Sequence, residues 1–121
     1  MGIKKKILVV DDDPEMTFLI KEILKKDYRI SITHNGPEAF EKTRGENFDL
    51  ILTDIRMPYL SGIWFCDAFK NKPETKHIPV IMISGLPPEE NMGKAYRVGA
   101  SAYLKKPFRP NELRAIVKKV L

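Results

Sequence analysis

The chain has 121 residues, 43% of them hydrophobic, and a formal net charge of +5. That length suits one sizeable core and asks for no second domain, so residues 1–121 are expected to form a single compact, soluble domain. No apolar run approaches the roughly 20 residues of a membrane-spanning helix, and Met1-Gly2-Ile3-Lys4-Lys5-Lys6 lacks the apolar stretch of a signal peptide, so a cytoplasmic location without membrane contact is expected.

The positive balance favours acidic partners in general. The lysines are spread along the chain without the interleaved aromatics of a single-strand binding groove, so direct nucleic-acid binding is not expected. The single cysteine, Cys66, has no partner for an internal disulfide or a thiolate metal site and reads as a small core residue.

In chain order, the apolar run Ile7 to Val10 predicts a first strand, which stops at Asp11-Asp12-Asp13. Pro14 then opens a helix in which Met16, Leu19, Ile20, Ile23 and Leu24 recur at helical spacing. Tyr28 to Thr33 alternates as a second strand, and Asn35-Gly36-Pro37 starts a helix that turns Ala39 and Phe40 inward. Phe48 to Thr53 and Gly62 to Asn71 repeat the pattern. Val80 to Ile83 is a fourth strand, followed by a helix over about Pro88 to Val98; Ala102 to Leu104 is a fifth, before a final helix marked by Leu113, Ile116, Val117 and Val120. Each return to a parallel strand needs a crossover helix, so the alternation predicts an α/β fold with a parallel sheet covered on both faces.

Four of these strands stop at polar residues: Asp11 and Asp12, Asp54, Ser84, and Lys105-Lys106. Parallel strands bring those stops to one edge, where ligands of such sheets collect. Three carboxylates meeting there repel one another unless a cation or a protonation resolves the conflict, and hard oxygen donors suit Mg²⁺ or Mn²⁺ better than zinc. Asp13, followed by Pro14, reads as the N-cap of the first helix and not as a ligand. Asp54 is the candidate phosphate acceptor.

These residues resemble the response-regulator receiver domains of two-component signalling, over nearly the whole chain. The matching motifs are Ile7-Leu8-Val9-Val10-Asp11-Asp12, Asp49-Leu50-Ile51-Leu52-Thr53-Asp54, Met57-Pro58 with Gly62, Ile83-Ser84-Gly85, and Gly99 through Tyr103-Leu104-Lys105-Lys106-Pro107-Phe108. The resemblance implies a flavodoxin-like, doubly wound (βα)5 three-layer sandwich with strand order 2-1-3-4-5, the order that general fold rules already quote for a chemotaxis receiver. It implies that Asp54 takes a phosphoryl group from a histidine kinase or a histidine phosphotransfer protein. Asp12 and Asp54 would ligate Mg²⁺ directly and Asp11 partly through water, with the backbone carbonyl of Arg56 completing the protein ligands. Lys106 would pair with phosphate oxygens and Ser84 would donate its hydroxyl hydrogen to one of them. By the same likeness Lys106-Pro107 is a candidate cis bond, and Tyr103 would move inward behind Ser84, repacking the surface of the fourth helix, fifth strand and fifth helix for a downstream target or a fused output domain. For Tyr103 an ordinary half-buried strand aromatic stays equally open.

The chain departs from the OmpR-like receivers at Ser101 and Ala102, where those carry acidic residues, so their charge-paired dimer is not expected. Arg56 and Leu86 occupy positions that in similar domains influence how fast water reaches the phosphate. Trp64 falls on the solvent side of its helix, and His34 and His77 read as surface residues without partners. Two rival readings are a haloacid-dehalogenase-like phosphatase, suggested by Asp11-Asp12-Asp13, and a receiver-like binding module that is never phosphorylated. The first lacks a later acidic motif beyond Glu112 and room for a cap; the second fits poorly with an intact acceptor, metal pair, hydroxyl and lysine. A stand-alone receiver and a receiver within a longer protein are both open.

Overall fold

The computed structural model describes residues 2–121. Strands and helices alternate as β1 (Lys6–Val10), α1 (Pro14–Leu24), β2 (Arg29–Thr33), α2 (Gly36–Gly45), β3 (Leu50–Thr53), α3 (Gly62–Lys70), β4 (Val80–Ser84), α4 (Pro88–Arg97), β5 (Ala102–Lys105) and α5 (Pro110–Val120). The strands pair in parallel as one sheet of order β2-β1-β3-β4-β5, the flavodoxin-like order expected.

Successive side chains of a strand point to opposite faces, so a strand apolar at both parities has to be covered twice. Ile7 and Val9 of β1, Leu50 and Leu52 of β3, and Ile81 and Ile83 of β4 enter one core with Ile20, Ile23 and Leu24 of α1 and Leu113 and Val117 of α5. Their neighbours Leu8, Val10, Ile51, Val80 and Met82 enter a second core with Ala39 of α2, Phe65, Cys66 and Phe69 of α3, and Ala95 of α4. Burying each large apolar side chain in this way contributes about 2 kcal/mol relative to leaving it exposed.

Local signals set the helix ends. Asp13, Asn35 and Ser61 cap α1, α2 and α3 by accepting the backbone N–H of Glu15, Glu38 and Trp64, which confirms Asp13 as a cap. Helix α4 stops at Gly99, whose φ of 102° suits only glycine well; its N–H donates to Tyr96 and that of Ala100 to Ala95, closing the helix end. Element edges differ slightly from the sequence reading: β3 begins at Leu50 and not Phe48, α4 ends at Arg97, and β5 runs on to Lys105. Leu19 is a correction. The buried stripe of α1 is Thr17, Ile20, Ile23 and Leu24, which leaves Phe18 at 64% and Leu19 at 42% exposure.

The chain steps from β1 to β2 on one side and returns to β3 on the other, so strand order reverses between β1 and β3. That reversal opens a crevice at the carboxyl ends of the strands. Val10 is level with both Thr33 and Thr53, Thr53 with Met82, and Ser84 with Lys105. The residues that follow them therefore share one rim.

Candidate functional site

Asp11 and Asp54 stand on either side of that crevice, each one residue past its strand. The ladder carries them there: the Asp11 N–H donates to Thr33 at 3.1 Å and the Asp54 N–H to Val10 at 3.0 Å. Asp11 is only 2% exposed. Its Oδ1 accepts the Asp13 N–H at 3.0 Å and its Oδ2 accepts from Lys106 Nζ at 2.9 Å. In Asp54, Oδ1 accepts the Ile55 N–H at 2.7 Å and Oδ2 accepts from the same Lys106 Nζ at 3.1 Å.

Carboxylate oxygens of Asp11, Asp12 and Asp54 lie within 4.8 Å of one another, with Asp12 exposed to solvent. The cluster has three carboxylates and one ammonium group, which bonds two of them, so it keeps an excess of negative charge. Burial raises the Asp11 carboxyl above its ordinary range, against the opposing pull of the Asp13 N–H and of Lys106. Burial also works to lower the Lys106 ammonium, but its bond to Asp11 and the charges of Asp54 and Asp11 outweigh that and raise it. Lys106 is therefore held as a cation. A small hard divalent ion fits this donor set: the donors are all carboxylate oxygens, they converge, and exposed Asp12 leaves one side open to water.

The loop after β3 folds back tightly on the end of that strand. Gly62 N–H donates to Ile55 at 2.7 Å, and a Cβ added at Gly62 would lie 1.9 Å from the Asp54 carbonyl oxygen. Only glycine fits there. Within this loop Leu60 N–H donates to Pro58 at 2.8 Å around Tyr59, which has a φ of 70° and is 86% exposed. Arg56 lies in the same loop with its side chain exposed.

Ser84 is fully buried at the end of β4, where its Oγ accepts the Leu86 N–H at 3.0 Å. Tyr103 is 8% exposed, and its hydroxyl donates to the Leu86 carbonyl at 3.3 Å. The Tyr103 ring thus already lies inward in this structure. The Lys106-Pro107 bond is cis, as the sequence likeness implied.

A family model for the response regulator receiver domain matches residues 7–118. The chain belongs to that family.

Among similar solved structures is the chemotaxis response regulator CheY4 of Vibrio cholerae, with a TM-score of 0.92 and 30% identity over 98% of this chain and 100% of that one. The transcriptional regulatory protein ResD of Bacillus subtilis is 38% identical over 96% of this chain, and the sensor histidine kinase TmoS of Ectopseudomonas mendocina is 34% identical over 96%. This receiver spans 48% of the length of ResD and 12% of TmoS. It is thus a receiver domain of two-component signal transduction, similar to those of response regulators and of histidine kinases. Among the described residues no helix is long and apolar enough to cross a membrane.

The receiver brings Asp11, Asp12, Asp54 and Lys106 together and sets Ser84 and Tyr103 side by side on Leu86. Trp64 is 67% exposed and Cys66 is buried, as their helical positions predicted. His34 corrects the sequence reading. It is exposed but not without a partner: its Nδ1 lies 3.0 Å from the Asp11 carbonyl oxygen. The signal was present in the register, since the residues after Val10 and Thr33 must be neighbours on parallel strands.

Proposed function

We propose that Asp54 is the phosphoacceptor of this receiver, taking a phosphoryl group from a phosphohistidine on a kinase or phosphotransfer protein. The observation that carries this reading is Lys106 Nζ bridging Asp11 and Asp54 at 2.9 and 3.1 Å, with the Asp12 carboxylate beside them. A carboxylate oxygen of Asp54 attacks phosphorus, the P–N bond of the donor breaks, and its electron pair returns to the imidazole nitrogen, which takes up a proton.

The Ile55 N–H and Lys106 fix the rotation of the Asp54 carboxylate, so the attack starts from a positioned group. Lys106 also supplies positive charge where phosphoryl oxygens would gather. Ser84 accepts from Leu86 and so keeps its own hydroxyl hydrogen free to donate to one of those oxygens. Asp11, Asp12, Asp54 and the backbone carbonyl of Arg56 are the proposed holders of Mg²⁺, which when bound would neutralise phosphoryl charge. We take residues 1–121 as one such domain. Its phosphorylated form would present a changed α4-β5-α5 surface, through Ser84 and Tyr103, to a downstream target or a fused output domain.

Intact mass after incubation with Mg²⁺ and acetyl phosphate, beside an Asp54→Asn variant, tests the reading. One added phosphoryl group in the parent alone is expected. No addition in either protein would leave a binding module in the shape of a receiver.

A further inference from the structure

The β2–α2 junction reaches the acidic cluster through a side chain that the phosphoacceptor reading does not use. In a parallel ladder Asp11, having donated its N–H to Thr33, would next accept at its carbonyl from the backbone N–H of residue 35. That rung is missing among the described residues, because β2 ends at Thr33 and Asn35 becomes the cap of α2. The imidazole of His34 takes its place, with Nδ1 at 3.0 Å from the Asp11 oxygen. A carbonyl oxygen only accepts, so Nδ1 carries the hydrogen and a neutral ring leaves Nε2 bare.

His34 is itself anchored. Its backbone N–H donates to Glu38 Oε1 at 2.7 Å, and the Glu38 N–H donates to Asn35 Oδ1 at 2.8 Å. The first turn of α2 therefore holds the imidazole against the residue from which the β1–α1 turn departs. Every polar group of Asp11 is then engaged: its N–H by Thr33, its carbonyl by His34, its Oδ1 by Asp13 and its Oδ2 by Lys106. The peptide leading from that carbonyl to Asp12 is fixed in direction, and with it the origin of the Asp12 side chain.

We propose that His34 is a positioning residue for the metal site, orienting the Asp11–Asp12 turn by replacing the ladder rung that β2 gives up. The inference rests on the reading of Asp11, Asp12 and Asp54 as carboxylates that hold a divalent cation. Groups that orient metal ligands typically change affinity by about tenfold or more when removed.

Calorimetric titration with Mg²⁺ of the parent, His34→Ala, His34→Asn and Asp54→Asn, together with nitrogen NMR of the neutral imidazole, tests it. The parent is expected to bind, His34→Ala to bind about tenfold more weakly, and His34→Asn to recover most of the loss, because an amide N–H can stand where Nδ1–H stood. The ring should be protonated at Nδ1 in the parent and remain so in Asp54→Asn. Equal affinity in the parent and His34→Ala, failure of His34→Asn to recover binding, or a hydrogen on Nε2 overturns the role of His34 while leaving the metal site standing. A parent that binds no Mg²⁺ overturns the metal-site reading itself, and this inference with it.

Discussion

Ser84 and Tyr103 hold opposite ends of one residue, the first accepting the Leu86 N–H at 3.0 Å and the second donating to the Leu86 carbonyl at 3.3 Å. They come from different strands, β4 and β5, and meet at the start of the loop to α4. A change in the Ser84 hydroxyl therefore moves a residue that Tyr103 also grips, through the next peptide along the chain. Ser84→Ala and Tyr103→Phe are expected to destabilise non-additively, with a coupling of about 0.5 kcal/mol or more in a urea-denaturation double-mutant cycle. Additive effects would mean the two grips are independent.

The environment of Asp11 works against its charged form. Burial raises its carboxyl above the ordinary value of 3.8, so the folded state holds this proton more firmly than the unfolded chain does. Its contribution is most favourable below that ordinary value and is lost as pH rises through the raised one, so ionised Asp11 costs stability at pH 7. Asp11→Asn, with Lys106 still paired to Asp54, is expected to unfold at a higher urea concentration than the parent at pH 7 without Mg²⁺, and to lack the stabilisation that Mg²⁺ is expected to give the parent. Urea midpoints with and without Mg²⁺ check both halves, and a destabilised Asp11→Asn contradicts the first.

Cys66 behaves as a sealed thiol. Burial pushes it up to about 11 from an ordinary 9.0, and its Sγ donates to the Val98 carbonyl at 3.6 Å. Because the folded value is the higher, the stability tied to this proton is intact below pH 9.0 and falls as pH climbs toward about 11. At pH 8 a disulfide reagent should label Cys66 only as fast as the core opens, and at once in urea. Rapid labelling of the native protein would show that α3 does not seal it.

Two substitutions between the end of β3 and the first residue of α3 should move stability in opposite directions. Gly62→Ala puts a Cβ against the Asp54 carbonyl, a backbone atom that cannot swing aside, and should cost about 3 kcal/mol with weaker phosphorylation. Tyr59→Gly removes the penalty of a φ of 70° from an exposed side chain and should gain about 1 kcal/mol. Thermal melts of the two variants decide the matter.

The sheet and its rim were legible because they rest on period and punctuation. Val10, Thr53, Ile83 and Leu104 each precede a polar stop, and parallel register alone puts those stops together. Leu19 misled because a helical spacing admits several stripes, and only packing against β1 and α5 selects the one through Ile20 and Leu24. The inward Tyr103 ring depends on a carbonyl, at Leu86, that no side-chain pattern records. The exposure of His34 is legible, but for the same reason its partner is not, since that partner is the backbone of a residue 23 positions away.

Lys106 lies 95 residues after Asp11 and 52 after Asp54 in the chain. During synthesis the carboxylates that follow β1 and β3 emerge long before the ammonium group that will sit between them, and β5 is the last of the five strands to be made. A nascent chain that has folded as far as β4 would have to keep Asp11 either hydrated or protonated, because no counter-charge has yet arrived. The arrival of Lys106 is thus an electrostatic closing step for the whole sheet, tying the first strand to the last and delaying a competent site until β5 and the residue after it have been made.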